Sequence, residues 1–361
     1  MTLYERSDLD AERWRFLESA GVGVIEGQEV LSVDSGRTVT ARGSRSRFDS
    51  VVISTGSGRR YSRFKGSSKR GVFFADMSDA LSPRPPIVAG GRALVVGEGL
   101  PALRAADSLC SLGSQVTVLS RGPRGWPRLQ EAVEAALVTR AASLGVKFLS
   151  GEADIAAGTS EVRCVVTEGR VVPCEAVLVL PRLVPHHPLV EARTGERGGI
   201  LVDSRQASTC PGVYSAGSCS LQVGSSSVPG PHHSAGKVAG CNAAGGSLLS
   251  GPPPSTRERL FGVEVTSAGF TLRESLTAGL DADFGAATRG TSQACSIVYE
   301  RRSLRVLGAQ MAGGEPDQHS TLLLAVAQSM PLEALAGLDS GPSTDMSLIA
   351  EAVRRCLGWK A

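Results

Sequence analysis

The sequence predicts an α/β chain built on a parallel sheet with helices on both faces, followed by a separate α+β unit. Three observations carry this. From Arg92 onward, short apolar runs alternate with stretches of helical period, which suits a parallel sheet covered on both sides. Within that region "RALVVGEGLPALRAADSLCSLGSQVTVLSR", Arg92 to Arg121, reads as strand, glycine turn, helix and strand. Two Pro/Gly-rich breaks, "LSPRPPIVAGGR" at 81–92 and "SGPPPSTRER" at 250–259, divide the chain.

Taken in order, Asp8 to Ala20 is predicted helical, with Asp8 as cap and Gly21 as stop. The runs "VGVIEG", "EVLSVD", "RTVTAR" and "DSVVIST" have strand character, and "DSGR" is a turn between two of them. After the first break, "ALVVG" is a buried strand and "ALRAADSLCSL" a helix stopped by Gly113. "QVTVL" is the next strand. A second helix is expected from about Arg128 to Leu144, with Leu129, Val133, Leu137, Ala141 and Leu144 on one face. "VKFL" then makes a third parallel strand. "EVRCVVT", "RVVPC", "AVLVLP", "GGILVD" and "GVYSAG" come next as strands, and "SAGKVAGCNAAGG" as a helix of small residues. Beyond the second break, "ACSIVYE" and "RVLGAQMAG" should pair across "RRSL", with helices near 318–329 and 345–357.

Composition narrows the function classes. A chain of 361 residues is long enough for two or three domains. The net charge is only +3 and aromatics are 4%, so neither a phosphate-tracking surface nor a base-stacking platform for nucleic acid is indicated. The N-terminus is charged throughout and no apolar run approaches the ~20 residues of a membrane helix, so a cytoplasmic protein without membrane contact is expected. None of the eight cysteines forms a C-x-x-C pair, and they read as small buried apolar side chains.

Gly97-x-Gly99-x-x-Ala102 fits the phosphate-binding turn of a dinucleotide site. The first glycine allows the tight turn, the second lets a pyrophosphate approach the backbone, and the small Ala102 lets helix and strand pack closely. The helix N-terminus then offers unpaired N–H groups to the phosphates. The second strand ends in Ser120 and Arg121 rather than in the carboxylate that holds both ribose hydroxyls of NAD. Arg121 and Arg124 instead suit a 2′-phosphate, because a guanidinium forks onto phosphate. If a nicotinamide cofactor binds, NADP is expected over NAD.

The order of motifs resembles the FAD-dependent pyridine nucleotide–disulfide oxidoreductases, nearest to the coenzyme A-disulfide reductase and NADH oxidase branch. "FDSVVISTGSGRR" is similar to that family's strand beside the flavin, which implies flavin-side roles for Thr55 and Gly56. "ALVVGEGLPALRAADSLCSLGSQVTVLSRGPRGWPRL" resembles its NAD domain. "GGILVDSRQASTCPGVYSAGSCS" resembles the segment returning to the flavin, which implies a place there for Gly217 and Ser218. "RVLGAQMAGG" and the helices after it resemble the C-terminal dimerisation domain.

The resemblance implies two Rossmann-like units, the flavin-type one incomplete and discontinuous over 1–88 and 176–250. The NAD(P)-binding-type domain would be 89–175 and the dimerisation domain 258–361. It also implies departures. The chain is expected to open midway through the flavin-type domain, after the family's first dinucleotide fingerprint. Ser218 stands where the family has an aspartate, Arg104 where it has a nicotinamide-side glutamate, and Ser120 where it has its acidic ribose residue. "LDSGPSTDMS" lacks the Tyr or His used near the redox centre. FAD is therefore expected to bind weakly without the first fingerprint.

The resemblance implies two alternative functions. One is hydride transfer from NAD(P)H through a flavin to a disulfide, persulfide or oxygen, if the missing segment is supplied. The alternative is a non-catalytic subunit, or a regulatory or structural dimer partner. The 258–361 segment would pair with a second copy or with a flavin-bearing homologue. Other motifs carry less. "GPHHSAGKV" misses the P-loop spacing by one position, and the vicinal His186-His187 and His232-His233 are poor chelators. No metal site is expected, and Cys219 reads as a small buried side chain.

Overall fold

The computed structural model describes residues 15–17, 19–74, 90–121, 129–195, 198–222, 233–250, 255–337 and 347–358. Arg124, the 338–346 stretch, residues 81–89 of the first Pro-rich break and 251–254 of the second lie outside the described residues. No helix among those described is long and apolar enough to cross a membrane.

The centre of the fold is a five-stranded, all-parallel sheet. Its order is Val72–Phe74, Ala176–Val179, Arg92–Val96, Gln115–Ser120 and Lys147–Ser150. Parallel strands need covered faces and apolar runs. The central pair meets this: Ala93, Leu94 and Val95 are buried, as is every residue of Ala176–Val179. Helix Gly99–Ser111 packs through Ala102, Leu103, Ala105, Ala106 and Leu109. The second predicted helix spans Glu131–Ser143 and buries Val133, Ala136, Leu137 and Ala141. Leu144, expected on that apolar face, lies past the helix end and is exposed, because Gly145 turns the chain in the left-handed region. A meander of Ile155–Ala157, Cys164–Thr167 and Arg170–Pro173 covers the other face of the sheet.

Two strands of this sheet come from outside the 89–175 interval: Val72–Phe74 precedes it and Ala176–Val179 comes after it. The sheet edge thus recruits chain from both flanks.

The flavin-type region is more divided. Val30–Val33, Thr38–Ala41 and Ser44–Arg47 form an antiparallel meander, and Leu189–Val190 joins it in parallel. Val51–Ile53 pairs in parallel with Val213–Ser215, and Ile200–Val202 with Ser220–Gln222. "VGVIEG" at 22–27 forms no strand, and Val22, Val24 and Ile25 are exposed. Its alternation of small and branched residues has no neighbouring strand to face among the described residues, so propensity alone does not hold it extended. An antiparallel ribbon of Ser57–Arg60 and Arg182–Pro185 links this region to the central sheet.

The C-terminal unit is a five-stranded antiparallel sheet in the order Thr256–Leu260, Val263–Gly269, Val306–Ala312, Gln293–Glu300 and Ala282–Arg289. The predicted pairing across "RRSL" is present. Helices Pro316–Ala327 and Ser347–Cys356 cover one face, and two short helices, Leu272–Thr277 and Leu332–Ala336, are additional. The other face packs on the nucleotide-type unit: Leu260, Phe261, Val265, Ala294 and Ala312 share one core with Leu103, Val133 and Leu137.

Candidate dinucleotide site

In a parallel sheet all carboxyl ends lie along one edge, and a crevice opens where the strand order reverses. Here the reversal falls between Arg92–Val96, whose chain continues into the Gly99–Ser111 helix, and Ala176–Val179. A cavity of about 280 Å³ opens at that place. Its lining includes Gly97, Gly99, Ser120 and Arg121, together with Glu98, Glu152, Arg63 and Arg182.

Gly97 is required by packing. A Cβ there would lie 2.9 Å from Leu180 Cβ and Cδ1, so any side chain would force the two loops at the switch point apart. Gly99 is required by backbone conformation, with φ +73°. Ala102 is fully buried on the sheet-facing side of this helix, the packing role expected for the third small residue. Glu98 is the N-cap but makes no side-chain capping bond, so it does not compete with a ligand for the first-turn N–H groups. Pro101, in that first turn, contributes no donor.

Sequence reading brought Gly97, Gly99, Ala102, Ser120 and Arg121 to one place; Gly97, Gly99, Ser120 and Arg121 line the cavity, and Ala102 lies behind them in the helix–sheet core. It missed Glu98 and Glu152. Arg121 Nε lies 3.5 Å from Glu98 Oε1 and 3.6 Å from Glu152 Oε1, and its Nη2 donates to Ser62 Oγ at 3.4 Å. The signal was available: Glu98 sits inside the glycine turn and Glu152 two residues past the third strand, both at the carboxyl edge. Arg104, which stands where the resembled family has a nicotinamide-side glutamate, does not line the cavity. It forms a two-pronged ion pair with Glu258 on the C-terminal sheet.

Thr55, Gly56, Gly217 and Ser218 form a second cluster. The parallel pair Val51–Ile53 and Val213–Ser215 delivers both of its succeeding loops to one end. Gly56 and Gly217 have φ of +78° and +82°, a Cβ on Gly56 would sit 3.8 Å from Ser218 Oγ, and a Cβ on Gly217 would meet no atom within 4 Å. The Thr55 hydroxyl donates to the His186 carbonyl, and His186 N–H donates to the Gly56 carbonyl at 3.0 Å, so the ribbon fixes this loop. Cys219 beside it is fully buried, its thiol against the Ile53 and Ala216 carbonyls. Cys174 is also buried, which pushes its thiol up to about 12, away from thiolate chemistry.

Residues 6–239 match the family model described as pyridine nucleotide-disulphide oxidoreductase. The NAD(P)H sulfur oxidoreductase (CoA-dependent) of Pyrococcus abyssi is 26% identical over 83% of this chain, which spans 73% of that relative. Other matched relatives are longer proteins, of which the chain spans 36% and 34%. Among solved structures, an NAD-dependent persulfide reductase from A. fulgidus aligns over 95% of this chain and 70% of its own, with TM-score 0.69 and 21% identity. An engineered NADPH oxidase, a mutant of the Lactobacillus brevis NADH oxidase, bound to NADPH, aligns over 95% of this chain and 84% of its own, with TM-score 0.72 and 18% identity.

Proposed function

The chain belongs to the pyridine nucleotide-disulphide oxidoreductase family, and from that premise we propose that its switch-point cavity holds the dinucleotide of NAD(P)H beside a flavin site at Thr55, Gly56, Gly217 and Ser218. The observation that carries this reading is the cavity itself, opening at the glycine turn with Gly97 and Gly99 each constrained to glycine. Gly99 and the helix N-terminus would take the pyrophosphate, because backbone N–H groups and the helix dipole both favour an anion there. Ser120 and Arg121 would meet the adenosine ribose. Arg124 is a further phosphate contact on the sequence reading.

The flavin-side residues fit as a backbone cradle. Gly217 leaves open space where a side chain would stand, and Ser218 supplies a neutral hydroxyl in place of a carboxylate. Bound there, a flavin supplies two-electron acceptance from reduced nicotinamide and onward transfer to a disulfide, persulfide or oxygen. The chain's own contribution is positional. The ribbon Ser57–Arg60/Arg182–Pro185 starts at the Gly56 loop and ends at the cavity, where Arg182 and Leu183 form part of the wall. Four residues of strand span about 13 Å, so one rigid element fixes the spacing of the two sites.

NADP is favoured over NAD by the residue types at Ser120 and Arg121. In the engineered NADPH oxidase, adjacent positions change from aspartate to alanine and from alanine to arginine, the same pattern of a small side chain followed by a cation. For the 258–361 segment we infer pairing with a second copy, on the likeness of its motif order to the family's dimerisation domain.

An absorbance spectrum of the purified 361-residue chain, before and after adding FAD and NADPH, tests the reading. A flavin band that grows as FAD is added and is bleached by NADPH is the expected result. A colourless protein that takes up neither FAD nor either dinucleotide would overturn it.

A further inference from the structure

The charge of Arg121 is already more than offset before any ligand arrives. Two carboxylates from different strand ends flank one guanidinium: Glu98 from the glycine turn and Glu152 from beyond Lys147–Ser150. The N–O distances of 3.5 and 3.6 Å are those of loose ion pairs, and all three side chains are about half exposed or more, at 44% for Arg121, 47% for Glu98 and 68% for Glu152. Such pairs are weak, so a phosphate that forks onto Arg121 can displace them. It then sits among two carboxylates that the fold keeps nearby.

We propose that Glu152 is a specificity-determining residue of this site: it neutralises Arg121 and opposes a 2′-phosphate, holding the preference for NADPH well below what Arg121 alone would give. The inference rests on the dinucleotide reading of the cavity. Glu98 and Glu152 differ in what they oppose. Glu98 also pairs with Arg121, but as the N-cap of the helix that would receive the pyrophosphate, a group common to both cofactors, it acts on NADH as well as on NADPH. Glu152 reaches Arg121 from the neighbouring strand end, where Gly151 N–H donates to the Ser120 carbonyl at 2.8 Å. Its charge therefore falls at the end of the second strand, where the two cofactors differ. Arg63 and Arg182 also line the cavity and stay unchanged in every variant of the test.

The test is a set of dissociation constants for NADH and NADPH, measured by calorimetry on wild type, Glu152→Gln, Glu98→Gln, Arg121→Ala and the Arg121→Ala/Glu152→Gln double variant. Glu152→Gln frees Arg121 for the phosphate and removes a like charge from beside it, and together these should tighten NADPH roughly five-fold and leave NADH within about two-fold. The gain should shrink as salt is raised. Glu98→Gln should tighten both cofactors and move their ratio less than Glu152→Gln does. In the Arg121→Ala background the effect of Glu152→Gln should fall below half, because part of it runs through the guanidinium.

An unchanged NADPH-to-NADH ratio in Glu152→Gln overturns the proposal. So does a selective loss of NADH affinity, which would make Glu152 a ribose acceptor, or an effect that is undiminished without Arg121. If wild type binds neither cofactor, the dinucleotide reading fails and this inference falls with it. If wild type binds and only the ratio is unmoved, this inference alone fails.

Discussion

The nucleotide-type and flavin-type regions are built from the same kind of element, a parallel strand leading into a glycine loop, yet they differ in how far each is buried. The first is one five-stranded sheet whose core continues into the C-terminal sheet through Leu260, Phe261 and Val265. The second is divided into a meander and two parallel pairs, around a small core of Val33, Ile53, Ile200, Val202, Cys210, Val213 and Cys219. It also exposes Phe16, Ile25, Phe48 and Leu189. The same local motif therefore gives a rigid cavity in one place and a cradle with little support in the other. The number of covered faces decides the outcome, since parallel pairing is favourable only when both faces are dry.

The largest test of this contrast is a pair of matched truncations. Leu94→Ala, at a fully buried site in the central strand, should cost about 3–5 kcal/mol, and Ile200→Ala in the flavin-type core about 2–3 kcal/mol, because a small core collapses more readily around a cavity. Urea denaturation of each variant checks this. Equal losses would break the comparison. Saturating FAD should raise the urea midpoint of each variant that still binds it, through linkage.

Next in size is the tie between the nucleotide-type unit and the C-terminal sheet. Arg104→Ala leaves Glu258, only 14% exposed, without its cation, and a stranded half-buried charge costs about 1–3 kcal/mol. Hydrogen exchange should rise in both Gly99–Ser111 and Thr256–Leu260, while Val51–Ile53 is unaffected. An exchange increase confined to the helix would show that the pair is not a tie.

The smallest effect expected is a pH dependence. His319 is fully buried on the Pro316–Ala327 helix, between Thr266 Oγ1 at 2.7 Å and the Gly313 carbonyl at 2.9 Å. Burial pushes its pKa below the ordinary 6.5, against the opposing pull of nearby Glu264 and the Gly313 bond, with Arg257 adding to the depression. The unfolded chain then binds more protons than the folded one in the window below pH 6.5. The stabilisation is present above that value and is lost as pH falls through the folded pKa. The urea midpoint of the C-terminal unit should drop between pH 7.5 and 5.5, and His319→Gln should flatten the drop. A midpoint that rises on acidification would contradict the assignment.

Much of the cavity was legible in the sequence. Gly97, Gly99 and Ala102 come after a strand and open a helix, so their spacing alone placed them together. Alternating apolar runs gave the parallel sheet, and the strands flanking "RRSL" gave the hairpin of the C-terminal unit. What periodicity read too far were the ends: it carried the second helix to Leu144 and made a strand of 22–27, because apolar spacing does not register whether a neighbouring strand is there to pair with, and none is among the described residues. The strands Val72–Phe74 and Ala176–Val179 joined the sheet from beyond its 89–175 span, since their membership depends on which edge was open.

The sequence by itself determined the period of each element and the residues that only a tight turn or close approach can use, because those are set by local sterics and by spacing along one chain. Only the tertiary structure decided the charge partners. Arg104 meets Glu258 across 154 positions, and Arg121 lies between Glu98 and Glu152. A carboxylate acts over a few ångströms of space whatever its distance in sequence, so the folded edge of the sheet, and no local pattern, fixed which charges face one another in the cavity.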